Sequence, residues 1–415
     1  MSAALSSPMK AGAMRQPQDI DGIRREIAEA APQPLARAVT LPKAAYTSED
    51  YFRHEADAVL SSGWLCIAHV SQLKAPGSYI AVDLLDEPLV AVRDETGAVR
   101  VLSRICPHRG TDILHECFGK PREGTTRRLT CPYHVWAFDL SGKLVSAPER
   151  ERAEGFVKGD WSLPTIRSEI WHGFLFVNLD GKASPLAGQY ADFGEAIAPW
   201  NTEEMEVVIE LQWECDFNWK VMIENWMESY HHMGIHHDTL QVTMPARTTW
   251  TDPEHPHFIR CHLPFRPELA EELREIAAGT KPWSGFKPVD GLPIDRQTEW
   301  GLYLGYPGFM FLTMRDRVLW YRLEPVSASR CRLSTMTLIS KEARADPSFD
   351  EVIEAETKML SDFHAQDMQV NQAVQKGLKS AHVVRGRLSH LEEPVWLIQR
   401  YLAARLDGRY PERAI

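Results

Sequence analysis

The chain has 415 residues, 44% hydrophobic and 25% charged, with a formal net charge of −11. That length can bury a large core and predicts two domains, while the acidic balance excludes an ordinary nucleic-acid binder and no apolar run approaches a transmembrane span. Seven cysteines spread along the chain suit reduced thiols or metal ligands better than a disulfide framework, and Met1 to Ile20 has no apolar stretch ahead of a cleavage site, so a cytoplasmic location is expected.

Residues 1–45 are Pro/Ala-rich and read as an N-terminal arm packed on the C-terminal domain, its first thirty or so residues holding no chemistry. From Tyr46 a helix is predicted, with Thr47 as N-cap, Asp50 in the first turn, apolar Phe52, Ala56, Val59 and Leu60, and Gly63 as the stop. The pattern then changes to short strands: Ser78 to Leu85, Pro88 to Arg93 and Ala98 to Leu102, with Asp94-Glu-Thr-Gly97 and Ser141-Gly142 as turns, ending in an apolar run from Trp171 to Asp180. A domain boundary is placed near residue 180, giving a β-rich unit over 46–180 and a mixed helix and strand unit over 181–415. No internal repeat or low-complexity tract is visible.

Two loops in the β-rich unit carry the most specific signal. Cys106-Pro-His108-Arg-Gly and Cys131-Pro-Tyr-His134 each offer one thiolate and one imidazole, and four such donors demand a metal. A zinc site with two Cys and two His ligands is the bland alternative. Zinc fingers, however, usually begin with two nearby cysteines, whereas a Cys paired with a His on each loop suits a [2Fe-2S] cluster with two cysteines on one iron and two histidines on the other.

The second signal is Glu224-Asn-Trp-Met-Glu228-Ser-Tyr-His231-His-Met-Gly-Ile-His236. In a helix Glu228 and His231 would share a face, and His236 would require loosening at Gly234. Two imidazoles and a distant carboxylate would make the facial triad of non-heme Fe(II) oxygenases, although imidazoles also suit Zn, Cu or Ni, and such a run also fits a satisfied polar core.

Together, Cys-x-His, Cys-x-x-His and the later Asn-x-x-Glu-x-Tyr-His-x-x-x-x-His resemble the α subunit of the Rieske non-heme iron oxygenases, the aromatic-ring-hydroxylating oxygenase family, over roughly residues 46 to 380. The resemblance implies an α+β fold: a Rieske domain followed by a catalytic domain whose helix-grip antiparallel sheet covers a mononuclear iron. It implies Cys106, His108, Cys131 and His134 as cluster ligands, His231 and His236 as iron ligands, Asn225 as a polar neighbour of the iron, and Glu228 as the acidic bridge between the centres. The segment Asp367-Met-Gln-Val-Asn-Gln-Ala-Val-Gln375 is similar to the family's third-ligand helix, which places the carboxylate at Asp367, with Asp362 as the fallback and a solvated helix face as the plain alternative.

The cofactors so implied are a [2Fe-2S] cluster and mononuclear Fe(II), with O2 as co-substrate and a ferredoxin or reductase as electron donor. Ring dihydroxylases mostly carry Asp at the bridging position; Glu228 resembles the quaternary-ammonium demethylases. The expected reaction is therefore oxygen insertion into a C–H bond beside nitrogen or oxygen, giving a hemiaminal or hemiacetal that collapses to aldehyde and dealkylated product. Ring cis-dihydroxylation is the runner-up and a zinc-stabilised binding module the third reading. The apolar run Trp300 to Met314 reads as pocket wall or plain sheet core. As pocket wall it favours a neutral N-alkyl anilide or phenylurea, with a quaternary ammonium compound open as well. The basic segment Lys120 to Arg128 reads as a solvated face or a donor-docking patch. His255, His257 and His262 are assigned to a loop, His232 and His237 point away from the metal, and His390 starts a C-terminal helix. Cys66, Cys117, Cys215, Cys261 and Cys331 are ordinary small residues. A homotrimer, with one subunit's His134 meeting its neighbour's Glu228, completes the expectation.

Overall fold

The computed structural model describes residues 19–150 and 152–408. Residues 1–18, the first part of the expected arm, lie outside the described residues. From residue 20 the arm expectation gives way to a packed helix: Ile20–Ala30 is capped by the Asp19 carboxylate, buries Ile23 and Ile27, and Arg24 Nη2 donates to Leu406 O at the end of the C-terminal helix Glu393–Leu406 (2.8 Å).

The helix predicted from Tyr46 is broken in two. A short turn Ala44–Thr47 ends at Ser48, which is extended, and Ser48 rather than Thr47 caps the next helix, Glu49–Glu55, by accepting from Tyr51 N at 3.1 Å. The Thr47 hydroxyl instead donates to Lys43 O. Beyond Glu55 the backbone widens into a π-helical stretch, Ala56–Ser61. Gly63 comes next because of a close approach: a Cβ there would lie 2.8 Å from Pro307 Cδ.

The period-2 segments form antiparallel sheets. Val99–Ser103, Glu87–Arg93, Ser78–Leu84 and Glu123–Thr125 stand side by side in that order. The expected turn at Asp94 forms, its Oδ1 accepting from Thr96 N and Ala98 N, with Gly97 at φ +88. Leu129–Thr130, Ala137–Phe138 and Leu144–Ser146 make a smaller sheet. The run from Trp171 to Asp180 belongs to a hairpin: Arg167–Trp171 and Phe174–Asn178 pair through His172 and Gly173, both at positive φ.

The second half is built on one seven-stranded antiparallel sheet. Its spatial order is Glu206–Cys215, Arg330–Ile339, Val318–Ser327, Phe309–Thr313, Glu299–Gly305, Phe258–Pro264 and Trp250–Thr251. Alternation divides its residues between two faces. Tyr303, Phe309, Phe311 and Trp320 fill a core with Phe174, Tyr190 and Phe193, whereas Leu302, Leu312, Leu319 and Tyr321 turn to the other side and line a cavity. The run Trp300 to Met314 is therefore both things the sequence allowed, core on one face and wall on the other.

A thirty-residue helix, Phe349–Leu378, closes the cavity. Its buried residues, among them Leu360, His364, Asp367, Met368, Asn371 and Gln375, recur at helical spacing. Among the polar ones, Asn371 and Gln375 fix the seam with the shorter helix Trp219–Met227. Asn371 Nδ2 donates to Asn225 Oδ1 (3.3 Å), and Gln375 accepts from Asn218 N and donates to Tyr46 O (both 3.0 Å). Beneath the seam Lys220 and Glu55 form a fully buried ion pair at 2.6 Å, with the Trp219 indole N–H also on Glu55. No helix among the described residues is long and apolar enough to cross a membrane.

Candidate metal centres

The first loop leaves strand Val99–Ser103, and its tightness comes from the backbone. Cys106 N donates to Thr111 O and Gly110 N to Cys106 O, both at 2.9 Å, and Gly110 has φ +73. The second loop repeats the device: Cys131 N donates to Trp136 O and Val135 N to Cys131 O. Val135 sits at φ +57, a strained conformation for a β-branched residue, held beside His134.

Cys106 and Cys131 are buried, and the rings of His108 and His134 meet edge to face at 4.6 Å. The Nδ1 atoms of both rings are buried without a hydrogen-bond partner. Burial pushes the Cys106 thiol up to about 11, the nearby Cys131 adding to it. Two buried sulfurs and two orphaned imidazole nitrogens are the donor set a cationic centre would satisfy. A single zinc would gather these four donors around one point. Among the described residues, the only such group of three or more within 4.8 Å of one another is His231, His236 and Asp367. Two cysteines and two histidines, one of each on either loop, fit the two irons of a [2Fe-2S] cluster.

The three-donor group is assembled differently. The helix Trp219–Met227 stops earlier than the sequence suggested, with Glu228 already extended (φ −107, ψ 153) and Tyr230–Met233 forming a 3-10 turn. The loosening assigned to Gly234 thus occurs at Glu228. From there Glu228 folds back on His231, its Oε2 accepting from His231 N (3.1 Å) and its Oε1 lying 2.7 Å from His231 Nδ1. Burial disfavours the charged His231 ring, but Glu228 and Asp367 outweigh it and hold its pKa above the ordinary value.

Across the seam, Asp367 Oδ1 lies 3.1 Å from His236 Nε2 and 3.9 Å from His231 Nε2. Asp362, the fallback, is mostly exposed and paired with Lys358. With Nδ1 of His231 turned to Glu228, both Nε2 atoms face the carboxylate, a donor set that suits a mononuclear iron with open positions.

Asn225 lines the cavity and is held by Asn371. His232 departs from expectation. It is buried, its ring lies edge-on to His231 (4.9 Å) and His236 (5.9 Å), it lines the cavity, and burial lowers its pKa to about 3. His237 is exposed and pairs with Asp238. His255 faces Asp192, whereas His262 is a strand residue held between Asp252 and Glu299. His390 opens the last helical segment behind a Ser389/Glu392 capping box, as expected. One residue of the centre escaped sequence reasoning. Gln366, beside Asp367, accepts from His236 Nδ1 at 2.8 Å, and only its neighbour's role pointed to it.

The family models for "Rieske [2Fe-2S] domain" and "Ring hydroxylating alpha subunit (catalytic domain)" match residues 63–166 and 202–408. The chain belongs to the Rieske non-heme iron oxygenases. The family's cofactors are the [2Fe-2S] cluster and a mononuclear iron that works with O2. The chain is 35% identical over 223 residues to the carnitine monooxygenase oxygenase subunit of Acinetobacter baumannii, 52% of this chain and 58% of that relative. The chain thus spans little more than half the length of that relative. With the glycine betaine monooxygenase oxygenase subunit of Chromohalobacter salexigens it shares 24% identity over 85% of this chain and 82% of the relative. Its fold superposes with a TM-score of 0.74 on a quaternary ammonium Rieske monooxygenase at 25% identity, covering 89% of this chain and 96% of that one.

Proposed function

We propose that the chain is the terminal oxygenase of a multicomponent system that monooxygenates a carbon bound to nitrogen, releasing an aldehyde and an N-dealkylated product. The convergence of His231, His236 and Asp367 at the floor of an apolar cavity carries this reading. When bound, the cluster supplies single electrons and the mononuclear iron supplies a redox-active position for O2. Cys106, His108, Cys131 and His134 would hold the first; His231, His236 and Asp367 the second. Glu228 and Gln366 orient the two imidazoles through their second nitrogens, and Asn225 stands as the polar group beside the reacting position.

The cavity, about 730 Å3, has Trp226, Phe265, Trp300, Tyr321 and Phe363 among its walls. Aromatic faces attract an alkylated ammonium. Together with relatives named for carnitine and glycine betaine, this makes a quaternary ammonium compound the leading substrate class. A second reading keeps the neutral N-alkyl anilide or phenylurea. Apart from the metal-side Asp367, the ionised groups lining the cavity among the described residues are Lys358 and Asp362, paired with each other, and no arginine awaits a carboxylate. Supplying a reductase and assaying aldehyde across betaines, trimethylalkylammonium salts, N-alkyl anilides and simple arenes separates the classes. Diol from an arene without aldehyde from any amine would overturn the proposal.

Electrons would come from a ferredoxin or reductase. Lys120, Arg127 and Arg128 are exposed and could steer an acidic donor, while Arg122 is already committed to Asp83. We further propose a homotrimer in which His134 donates to the neighbour's Glu228. His134 is the better placed ring, because Arg150 stands 2.7 Å from the outer nitrogen of His108 and closes it to a neighbour.

A further inference from the structure

The two imidazoles of the cluster loops have different surroundings. Trp136 stacks on His108 with 4.7 Å between ring centroids and 6° between planes. The Arg150 guanidinium lies 5.2 Å over the same indole, and its Nη2 reaches His108 Nε2 at 2.7 Å. The arginine arrives from 42 residues further along the chain, draped across the tryptophan. His134 instead lies against the half-exposed Tyr133, 3.8 Å between centroids. The other nearby guanidinium, Arg109, is held over Tyr133.

A guanidinium carries five N–H donors, no acceptor, and a charge that persists at any pH of interest. With Nη2 2.7 Å from the ring of a proposed cluster ligand, it is a fixed positive charge on one side of the centre. Reduction adds one electron: a reductant outside the protein is oxidised by one electron, and one Fe(III) of the cluster becomes Fe(II). The added negative charge is stabilised by a neighbouring cation, and hydrogen bonding and charge around a cluster are among the factors that set its potential.

We propose that Arg150, lying over Trp136 and beside His108, is a positioning residue for the cluster that favours the reduced state through its charge. The proposal rests on the assignment of Cys106, His108, Cys131 and His134 as cluster ligands. A wild-type holoenzyme without Rieske absorbance would overturn that assignment before Arg150 was tested.

The experiment is a redox titration of wild-type, Arg150→Gln and Arg150→Lys holoenzymes at one fixed pH and salt concentration, followed by visible absorbance and by the EPR signal of the reduced cluster. At the wild-type midpoint, Arg150→Gln should show a reduced-to-oxidised ratio about tenfold lower, or about 59 mV for a one-electron couple. Arg150→Lys, which keeps the charge, should recover most of it. An unchanged ratio in Arg150→Gln overturns the proposal. If the glutamine variant fails to retain a cluster, the lysine variant decides: a ratio within about threefold of wild type supports a role for the charge, and a tenfold loss with the charge retained overturns it.

Discussion

The two centres of this chain are built in opposite ways. The proposed cluster donors sit on two tight loops whose shape is set by hydrogen bonds within each loop, so Cys106, His108, Cys131 and His134 are placed by local backbone. The proposed iron donors come from a 3-10 turn (His231), the turn that follows it (His236) and a long helix (Asp367), and His236 and Asp367 are 131 residues apart in sequence. They meet only because the helix Phe349–Leu378 is docked against Trp219–Met227 by Asn371, Gln375 and the groups beneath them. The first centre should fail when a ligand is changed. The second should also fail when its seam is disturbed far from any ligand.

Ligand changes test the independence of the centres and carry the largest effects. Cys106→Ser or His134→Ala should abolish the visible cluster spectrum while iron still binds at the second site, because neither replacement matches the softness or reach of the original. Asp367→Ala should do the reverse, cutting iron affinity by more than the about 10–100-fold typical of a lost outer-shell partner. Asp362→Ala, an exposed residue paired with Lys358, should retain iron. Metal analysis and absorbance on the same samples read both centres, and a reversed ranking of the two aspartates would move the ligand.

This contrast also explains what the sequence could reveal. Loop chemistry is local, so the Cys-x-His and Cys-x-x-His spacings announced the first centre and the turn at Asp94 announced its hairpin. His231 and His236 were visible as a dense run, but their carboxylate was chosen by resemblance, since Asp362 and Asp367 lie on one helix and only docking separates an exposed side chain from a buried one. Gln366 had no signal at all, because an amide accepting from His236 is defined by tertiary geometry. The early helix was misread at its cap: Thr47 and Ser48 are both competent caps, and the extended backbone at Ser48 decides between them. In the apolar run Trp171 to Asp180 the strand ends were not legible, because a two-residue turn at His172-Gly173 is hidden inside it.

The seam can be attacked without touching a ligand. Lys220→Met leaves Glu55 buried beside Trp219 without its counter-charge, a change expected to cost about 3–5 kcal/mol of stability. Iron occupancy should fall with it, while cluster absorbance per folded protein stays unchanged. Pairing it with Glu55→Leu should recover much of the loss. Equal damage to both centres at matched folded fraction would argue that the two share one cooperative unit.

Glu228 is where the two modes of construction are proposed to meet. Glu228→Gln keeps an acceptor for His231, so cluster and iron should both remain, but the charge on the proposed bridge is gone. Oxidation of a pre-reduced cluster should no longer be coupled to product formation, with activity down about 10–100-fold. Normal single-turnover yield, or an active enzyme that sediments as a monomer, would remove the cross-subunit route.

The smallest effect expected is a dependence of stability on pH that arises at the seam. Glu224 lies in the helix Trp219–Met227 and accepts from the Tyr46 hydroxyl at 2.7 and 2.9 Å through its two oxygens. Burial is the largest influence on it and raises its pKa to about 7, despite the opposing pull of Tyr46 and Lys220. An unfolded glutamate titrates near about 4.3. Between those values the folded chain holds a proton that the unfolded chain has released, so stability falls as pH rises through that window and levels off above about 7. Below about 4.3 both states are protonated and Glu224 contributes no slope. Glu224→Gln keeps an acceptor for Tyr46 and cannot ionise, so its urea midpoint should drop less between about pH 5 and pH 8 than that of the wild type. The difference should appear in a probe of the iron-side helices, with cluster absorbance insensitive to it until global unfolding. A variant whose midpoint falls as steeply as wild type would place the titrating group elsewhere and leave Glu224 ionised within the seam.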